Sequence, residues 1–261
     1  MGLFKKRFNG LSLDSPDVTA LHRGIIRTNP FLKHWYFRQY DKYRRLLSGK
    51  EAGRHIELGS GGGFLKEVLP FVTTSSILPD DRRNGNTDLV LDAEKMDLED
   101  ASVDSFFMLD VLHHIKKPVA FLSEAQRCLK KGGVIVMTEP ANTVFSRVLY
   151  KNFHHEPFEE NSTSWETSAP GHLSGANQAL GHIIFERDRA LFAKRFPGLE
   201  LQKVTKHTFA TYIVSGGLSY EPLFSETGAR AKTALLELFE GLLTPLMGML
   251  ATYMDILVRK R

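Results

Sequence analysis

The run Ile56-Glu57-Leu58-Gly59-Ser60-Gly61-Gly62-Gly63-Phe64 narrows the possible folds of this chain more than any other stretch. Arg54-His55-Ile56 reads as the end of a strand, and Phe64-Leu65-Lys66-Glu67-Val68-Leu69 as the first turns of a helix. The glycines therefore sit on a strand-to-helix turn. Without Cβ atoms they let a ligand approach the backbone, and the helix N-terminus presents unpaired N–H groups there. The spacing G-x-G-x-G with an acid two residues upstream differs from the G-x-G-x-x-G of dinucleotide sites.

Further β-rich runs follow at Thr73–Leu78, Thr87–Asp92, Ser105–Asp110 and Gly133–Pro140. Between the last two, a helix is predicted to start at Pro118, bury Val119, Leu122, Ala125 and Leu129, and end at Gly132-Gly133. Strands alternating with helices predict an α/β fold with a parallel, doubly wound sheet. Such sheets bind ligands outside the carboxyl ends of their strands. Glu57, Asp92, Asp110 and Glu139 each close a predicted strand.

At 261 residues and 42% hydrophobic, the chain is long enough for one large α/β domain. The longest uncharged apolar run, between Glu240 and Asp255, is too short to span a bilayer and contains Pro245 and Gly248. The opening "MGLFKKRFNG" has no apolar stretch of the secretory type, so a cytoplasmic location is expected. A single cysteine, Cys128, excludes an internal disulfide and a cysteine-rich zinc site, and "EAQRCLKK" places it on a buried helix face. Residues 1–50 carry 11 basic and 3 acidic side chains, so the basic excess is an N-terminal feature. Phe31, Trp35, Tyr36, Tyr40 and Tyr43 lie near helical spacing, which favours packing over base stacking. The expected organisation is a basic helical N-terminal arm over 1–50 and a main domain over 51–261, with a cap insertion at about 141–190.

The glycine turn, "LVLDAEKMDLEDASVDSFFMLDVLHHI", "EAQRCLKKGG" and "VIVMTEP" together resemble a class I S-adenosylmethionine-dependent methyltransferase, of the methyltransferase type 11-like kind. Their specific motifs cover residues 52–141. "FHHEPF", "SGANQAL", "IFERDR" and "YIVSGG" resemble a bacterial subgroup of these enzymes with unassigned substrate. The resemblance implies a Rossmann-like sheet, mostly parallel, with "MDILVRKR" as a final antiparallel strand after an apolar helix around Leu235–Met249. It implies S-adenosylmethionine as cofactor and S-adenosylhomocysteine as product. Gly59, Ser60, Gly61 and Gly63 would floor the methionyl and ribose portions, with Glu57 near the amino-acid end. Asp92 would hold the adenine amino group beside the Ala93 backbone, and Asp110 and Val111 would lie along the methionyl group.

One position departs from that family. The second strand usually ends in an acid that binds both ribose hydroxyls, and Ser76 stands there instead. A hydroxyl makes a weaker, neutral hydrogen bond. Asp80 or Asp81 is expected to replace the acid; otherwise the chain is a non-catalytic binding or scaffold protein with weakened cofactor binding.

Methyl transfer to an alcohol needs a base, and imidazole titrates in the right range. His114, which follows the fourth strand, and His155 with Glu156, from the cap, are the candidate catalytic residues. No H-x-x-x-H or H-E-x-x-H spacing appears, so no metal is expected. The absence of a zinc-finger pattern and of an N-P-P-Y-like tetrapeptide after the fourth strand argues against nucleic acid as substrate. The bulky cap suits O-methylation of a small-molecule or glycan- or lipid-linked acceptor. The basic N-terminus and the apolar C-terminal helix also suggest peripheral membrane contact.

Overall fold

A computed structural model of the chain describes residues 17–62, 64–83, 85, 87–154, 156–167 and 176–261. Gly63, His155 and residues 1–16 of the basic arm lie outside the described residues. In chain order the elements are α1 (Asp17–Thr28), α2 (Pro30–Leu47), β1 (His55–Glu57), α3 (Leu65–Val68), β2 (Thr73–Ser76), α4 (Pro79–Arg83), β3 (Leu89–Val90) and β4 (Val103–Leu109). There follow α5 (Pro118–Cys128), β5 (Leu129–Pro140), α6 (Val144–Phe153), α7 (Leu180–His182), α8 (Arg189–Arg195) and β6 (Leu199–His207). The chain continues through α9 (Ala210–Ser215), α10 (Ala229–Leu242) and α11 (Met247–Leu250) to β7 (Tyr253–Lys260).

Among the described residues seven strands form one sheet, in the order β3-β2-β1-β4-β5-β7-β6. β7 runs antiparallel to both β5 and β6, and the pairings among β1 to β5 are parallel. Alternation along the central strands covers both faces. Phe106, Met108, Ile135 and Met137 pack into one core with α5 residues, while Phe107, Leu109 and Val136 pack into another with α2. This is the Rossmann-like, doubly wound sheet expected from the sequence, with its antiparallel strand in place.

The arm's second helix is part of that core. Asn29 caps α2, its side chain accepting from the N–H groups of Phe31 and Leu32 (both 3.1 Å), with Pro30 in the first turn. Phe31, Trp35, Tyr40 and Tyr43 are buried, as the helical spacing predicts for packing. The Tyr43 hydroxyl donates to the Met108 carbonyl (2.9 Å). The same hydroxyl bonds Thr138 Oγ1 (2.8 Å), tying the arm to two central strands.

Three local expectations need correction. α5 ends at Cys128, before the predicted Gly132-Gly133, because Leu129 turns extended and pairs with Val103 at the start of a longer β5. Arg127 reinforces this exit by donating to the carbonyls of Leu98 (2.6 Å) and Met96 (2.9 Å). By sequence "LQKVTKHTFATYIVSGG" reads as strand-like throughout, but it is strand only to His207; α9 follows and stops at Gly216, whose φ of 72° suits glycine. The apolar segment over Leu235–Met249 is two helices bent by 62° at Thr244-Pro245, with Leu235, Leu238, Phe239 and Leu242 exposed. No single described helix is long and apolar enough to cross a membrane.

Candidate active site

A cavity of about 390 Å³ opens at the carboxyl ends of β1 to β4, a size within the ~300–1,000 Å³ of ligand pockets. Its floor is the glycine turn. Gly59 and Gly61 have φ of 62° and 51°, a region that side chains with Cβ rarely occupy. A Cβ on Gly59 would meet Val111 at 2.7 Å, so this glycine lets β1 and the loop after β4 close together. Beside Gly61 nothing lies nearer than the Gly59 carbonyl at 4.0 Å, and the open space is the cavity itself. Arg23 of α1 donates to the Gly62 carbonyl, and Val18, Thr19 and Ile26 of the same helix line the cavity. The N-terminal arm is thus one wall of the site.

Glu57 ends β1 with its side chain buried. Burial pushes its pKa up to about 8, and Oε2 has no hydrogen-bond partner among the described residues. Ser60 braces the turn instead of facing outward: its N–H donates to the Ser75 carbonyl (2.8 Å), and its hydroxyl accepts from the Ser75 N–H (3.0 Å). At the end of β2, the Ser76 hydroxyl donates to Asp81 Oδ2 at 2.6 Å. Asp81 is buried and lines the cavity, whereas Asp80 pairs with Arg83 at 2.9 Å. Of the two acids considered from the sequence, Asp81 is the one beside Ser76.

Asp92 and Ala93 line the same cavity just after β3. Asp92 is exposed, and its Oδ1 accepts from the Glu94 N–H (2.8 Å), which fixes the turn. Asp110, after β4, has φ of 56° and accepts from the Tyr253 hydroxyl through Oδ2 at 3.1 Å. Its Oδ1 is buried without a hydrogen-bond partner among the described residues. Burial and the nearby Glu139 charge raise its pKa to about 7, against the opposing pull of His113.

Beyond Asp110 the cavity meets a cluster that the sequence showed only in pieces. Glu139, fully buried near the end of β5, accepts from the N–H groups of Val111 (3.0 Å) and Leu112 (2.7 Å) through Oε1. Its Oε2 lies 2.6 Å from His113 Nδ1. Burial opposes charge on His113, but Glu139 and Glu156 hold its pKa well above the usual imidazole range. Glu156 reaches the same point from the cap: its Oε2 is 3.5 Å from His113 Nε2, and its Oε1 is 3.7 Å from His114 Nε2. Gln178 Nε2 donates to Glu156 Oε2 at 3.0 Å.

The structure thus brings Glu57, Gly59, Ser60, Gly61, Ser76, Asp92, Ala93, Asp110, Val111, His114 and Glu156 to one cavity. Sequence reading missed the Glu139–His113 pair as a unit, although Glu139 was recognisable as an acid closing a strand. It also missed Tyr36, Tyr212 and Tyr253, which line the cavity from three distant segments with no shared motif.

The site is thus a strand-end cavity over a glycine turn, with a buried acid at the end of β1 and a further buried acid beside β2. Residues 56–137 match the family described as Methyltransferase domain. The chain is 29% identical over 139 residues to a Mycolicibacterium smegmatis protein provisionally assigned as an S-adenosylmethionine-dependent methyltransferase, an alignment covering 46% of this chain and 52% of that one. Over residues 56–137 the chain is therefore similar to methyltransferase domains, and it spans about half the length of the curated relative it matches. The fold agrees with a Galdieria sulphuraria structure provisionally assigned as a sarcosine dimethylglycine methyltransferase, at TM-score 0.50 and 16% identity, covering 88% of this chain and 86% of that one.

Proposed function

We propose that this protein is an S-adenosylmethionine-dependent methyltransferase that methylates an oxygen of a small-molecule or glycan- or lipid-linked acceptor. The observation that carries this reading is the continuity of one cavity from Glu57, Asp81 and Asp92 to His114 and Glu156. The orphaned oxygens of Glu57 and Asp110 and the open space over Gly61 fit the cofactor. Glu57 would meet its amino-acid end, Asp81 with Ser76 its ribose, and Asp92 with the Ala93 backbone its adenine. When bound, S-adenosylmethionine supplies an already activated methyl group on a sulfonium, so the protein's work is orientation and exclusion of water. His114 takes the acceptor proton, and Glu156 orients the ring and stabilises its charged form. His155 lies outside the described residues and stays a candidate from the sequence alone.

The alternative of a non-catalytic scaffold rests on Ser76, and the 2.6 Å contact with Asp81 supports the enzyme reading by setting a carboxylate beside that residue. Calorimetric titration with S-adenosylmethionine and S-adenosylhomocysteine tests both readings, and no affinity in folded protein would overturn the enzyme reading. Asp81→Ala is expected to weaken S-adenosylhomocysteine binding about 10-fold or more, the loss of a charged hydrogen bond. Asp80→Ala should leave it unchanged. Ser76→Asp should not tighten it, because a second carboxylate would crowd the first. A tighter Ser76→Asp with Asp81→Ala unchanged would show that the ribose acid is simply missing.

The exposed apolar side chains Leu235, Leu238 and Leu242 of α10, with Leu246 and Met249 beyond the bend, support peripheral contact with a membrane that holds the acceptor. α11 packs against α6, whose Val144 and Val148 are also exposed and extend the apolar face. The expected result is flotation with anionic vesicles at low salt, reduced by Leu238→Glu with Leu242→Glu. Equal flotation of this double variant and the wild type would remove this face from the proposal.

A further inference from the structure

We infer that His113, His114 and Glu156 form a binding site for one first-row divalent transition-metal ion in the wall of the cavity. One ligand atom from each lies within 4.8 Å of the others. His113 Nε2 lies 3.5 Å from Glu156 Oε2 and His114 Nε2 lies 3.7 Å from Glu156 Oε1, long for hydrogen bonds but close to the spacing of ligands that each sit ~2.1 Å from a shared cation, with the carboxylate offering both oxygens. Two imidazoles and a carboxylate suit zinc, cobalt, manganese or iron(II), and three protein ligands leave positions open.

A second, independent feature supports the assignment. His113 Nδ1 is held at 2.6 Å by Glu139, whose other oxygen is fixed by two backbone N–H groups. This fixes the ring orientation with a proton on Nδ1, and a bound cation would take the place of the Nε2 proton that otherwise faces Glu156. A buried carboxylate behind a histidine is the usual support of a metal ligand. Gln178 braces Glu156 in the same way from the cap. The sequence spacing concealed the arrangement, because adjacent histidines do not share a helix face. Here a 3-10 turn over Leu112–His114 brings their rings to 4.3 Å between centroids, and Glu156 arrives from 42 residues later.

The Glu156 carboxylate, with Glu139 behind His113, complements a cation's charge. The open positions suit an acceptor with adjacent oxygen donors, such as a vicinal diol or a hydroxy acid, and with the ion in place His114 is a ligand and the ion takes over its part in deprotonation by lowering the pKa of the bound hydroxyl; this last point rests on the methyltransferase reading, and the ion site does not.

The test uses the untagged full chain stripped of metal. Titration with Co²⁺ followed by its visible ligand-field absorption, and with Zn²⁺ by calorimetry, should give one tight equivalent. His114→Ala and Glu156→Gln should each weaken binding at least 100-fold, and Glu139→Gln about 10- to 100-fold. His182→Ala, which removes a surface His–Glu pair, should bind as the wild type does. Circular dichroism checks folding, and S-adenosylhomocysteine titration of the same samples reports on the methyl-donor site separately. No equivalent tighter than in His114→Ala, or a loss confined to His182→Ala, would overturn the site. Failure of the metal with retained S-adenosylhomocysteine binding would overturn it alone and leave the methyltransferase reading standing.

Discussion

Glu57→Gln is expected to stabilise the ligand-free protein at pH 8 while weakening its hold on S-adenosylhomocysteine. The Glu57 carboxyl ordinarily titrates near 4.5, and burial at the end of β1 raises it to about 8. Between those values the folded chain keeps a proton that the unfolded chain has released. The contribution of this group to stability is therefore greatest below about 4.5, falls as pH rises through this window, and levels off above about 8. Asp110, raised to about 7, acts in the same direction. Glutamine mimics the protonated acid, so the variant should gain roughly 2–4 kcal/mol at pH 8 and show a flatter stability profile from pH 5 to 8. Denaturant midpoints across that range measure it. Cofactor binding runs the other way. The ammonium end of the ligand needs the carboxylate, so wild-type affinity should rise from pH 6 to 8, with a proton released on binding. The glutamine variant should lose both the rise and the release. A wild-type affinity that falls across the same range would move the amino-acid end of the ligand away from Glu57.

Gly61→Val should nearly abolish S-adenosylhomocysteine binding, by 100-fold or more, in a protein that still folds. The backbone there has φ of 51°, and a β-branched residue in that conformation costs about 1–2 kcal/mol. A Cβ nevertheless finds no protein atom nearer than 4.0 Å, so the new side chain fills ligand space and leaves the core intact. Gly59→Val is the contrasting case. Its Cβ would collide with Val111 at 2.7 Å, so stability should fall first and binding with it. Thermal melts beside calorimetric titrations separate the two. A Gly61→Val protein that binds like the wild type would show that the cofactor does not cross this turn.

The contrast between these glycines also shows what the sequence could convey. A strand, a glycine turn and a helix within a dozen residues are local, so their pattern is written contiguously and is readable. The acids at the strand ends were readable for the same reason. The end of α5 was not, because Leu129 leaves the helix to pair with Val103, a tertiary contact that overrides the glycine pair three residues on. His113 and Glu139 are separated by 26 residues, and only the parallel register of β4 and β5 sets them side by side. The exposure of α10 was equally hidden: periodicity reveals an apolar stripe, but not which stripe the rest of the chain leaves uncovered.

The place of β7 bears on how the chain comes together. This strand is the latest in the sequence, yet it lies inside the sheet, with β5 on one side and β6 on the other. During synthesis, β5 keeps an open edge of unpaired backbone groups until residues 253–260 emerge, and β6 has no neighbour to join. The nascent chain must hold this gap through the making of more than a hundred residues after β5, a period in which a chaperone or a foreign strand can occupy the slot. Loss of β7 would thus remove a keystone and strand β6, where loss of β3 would only shorten a border.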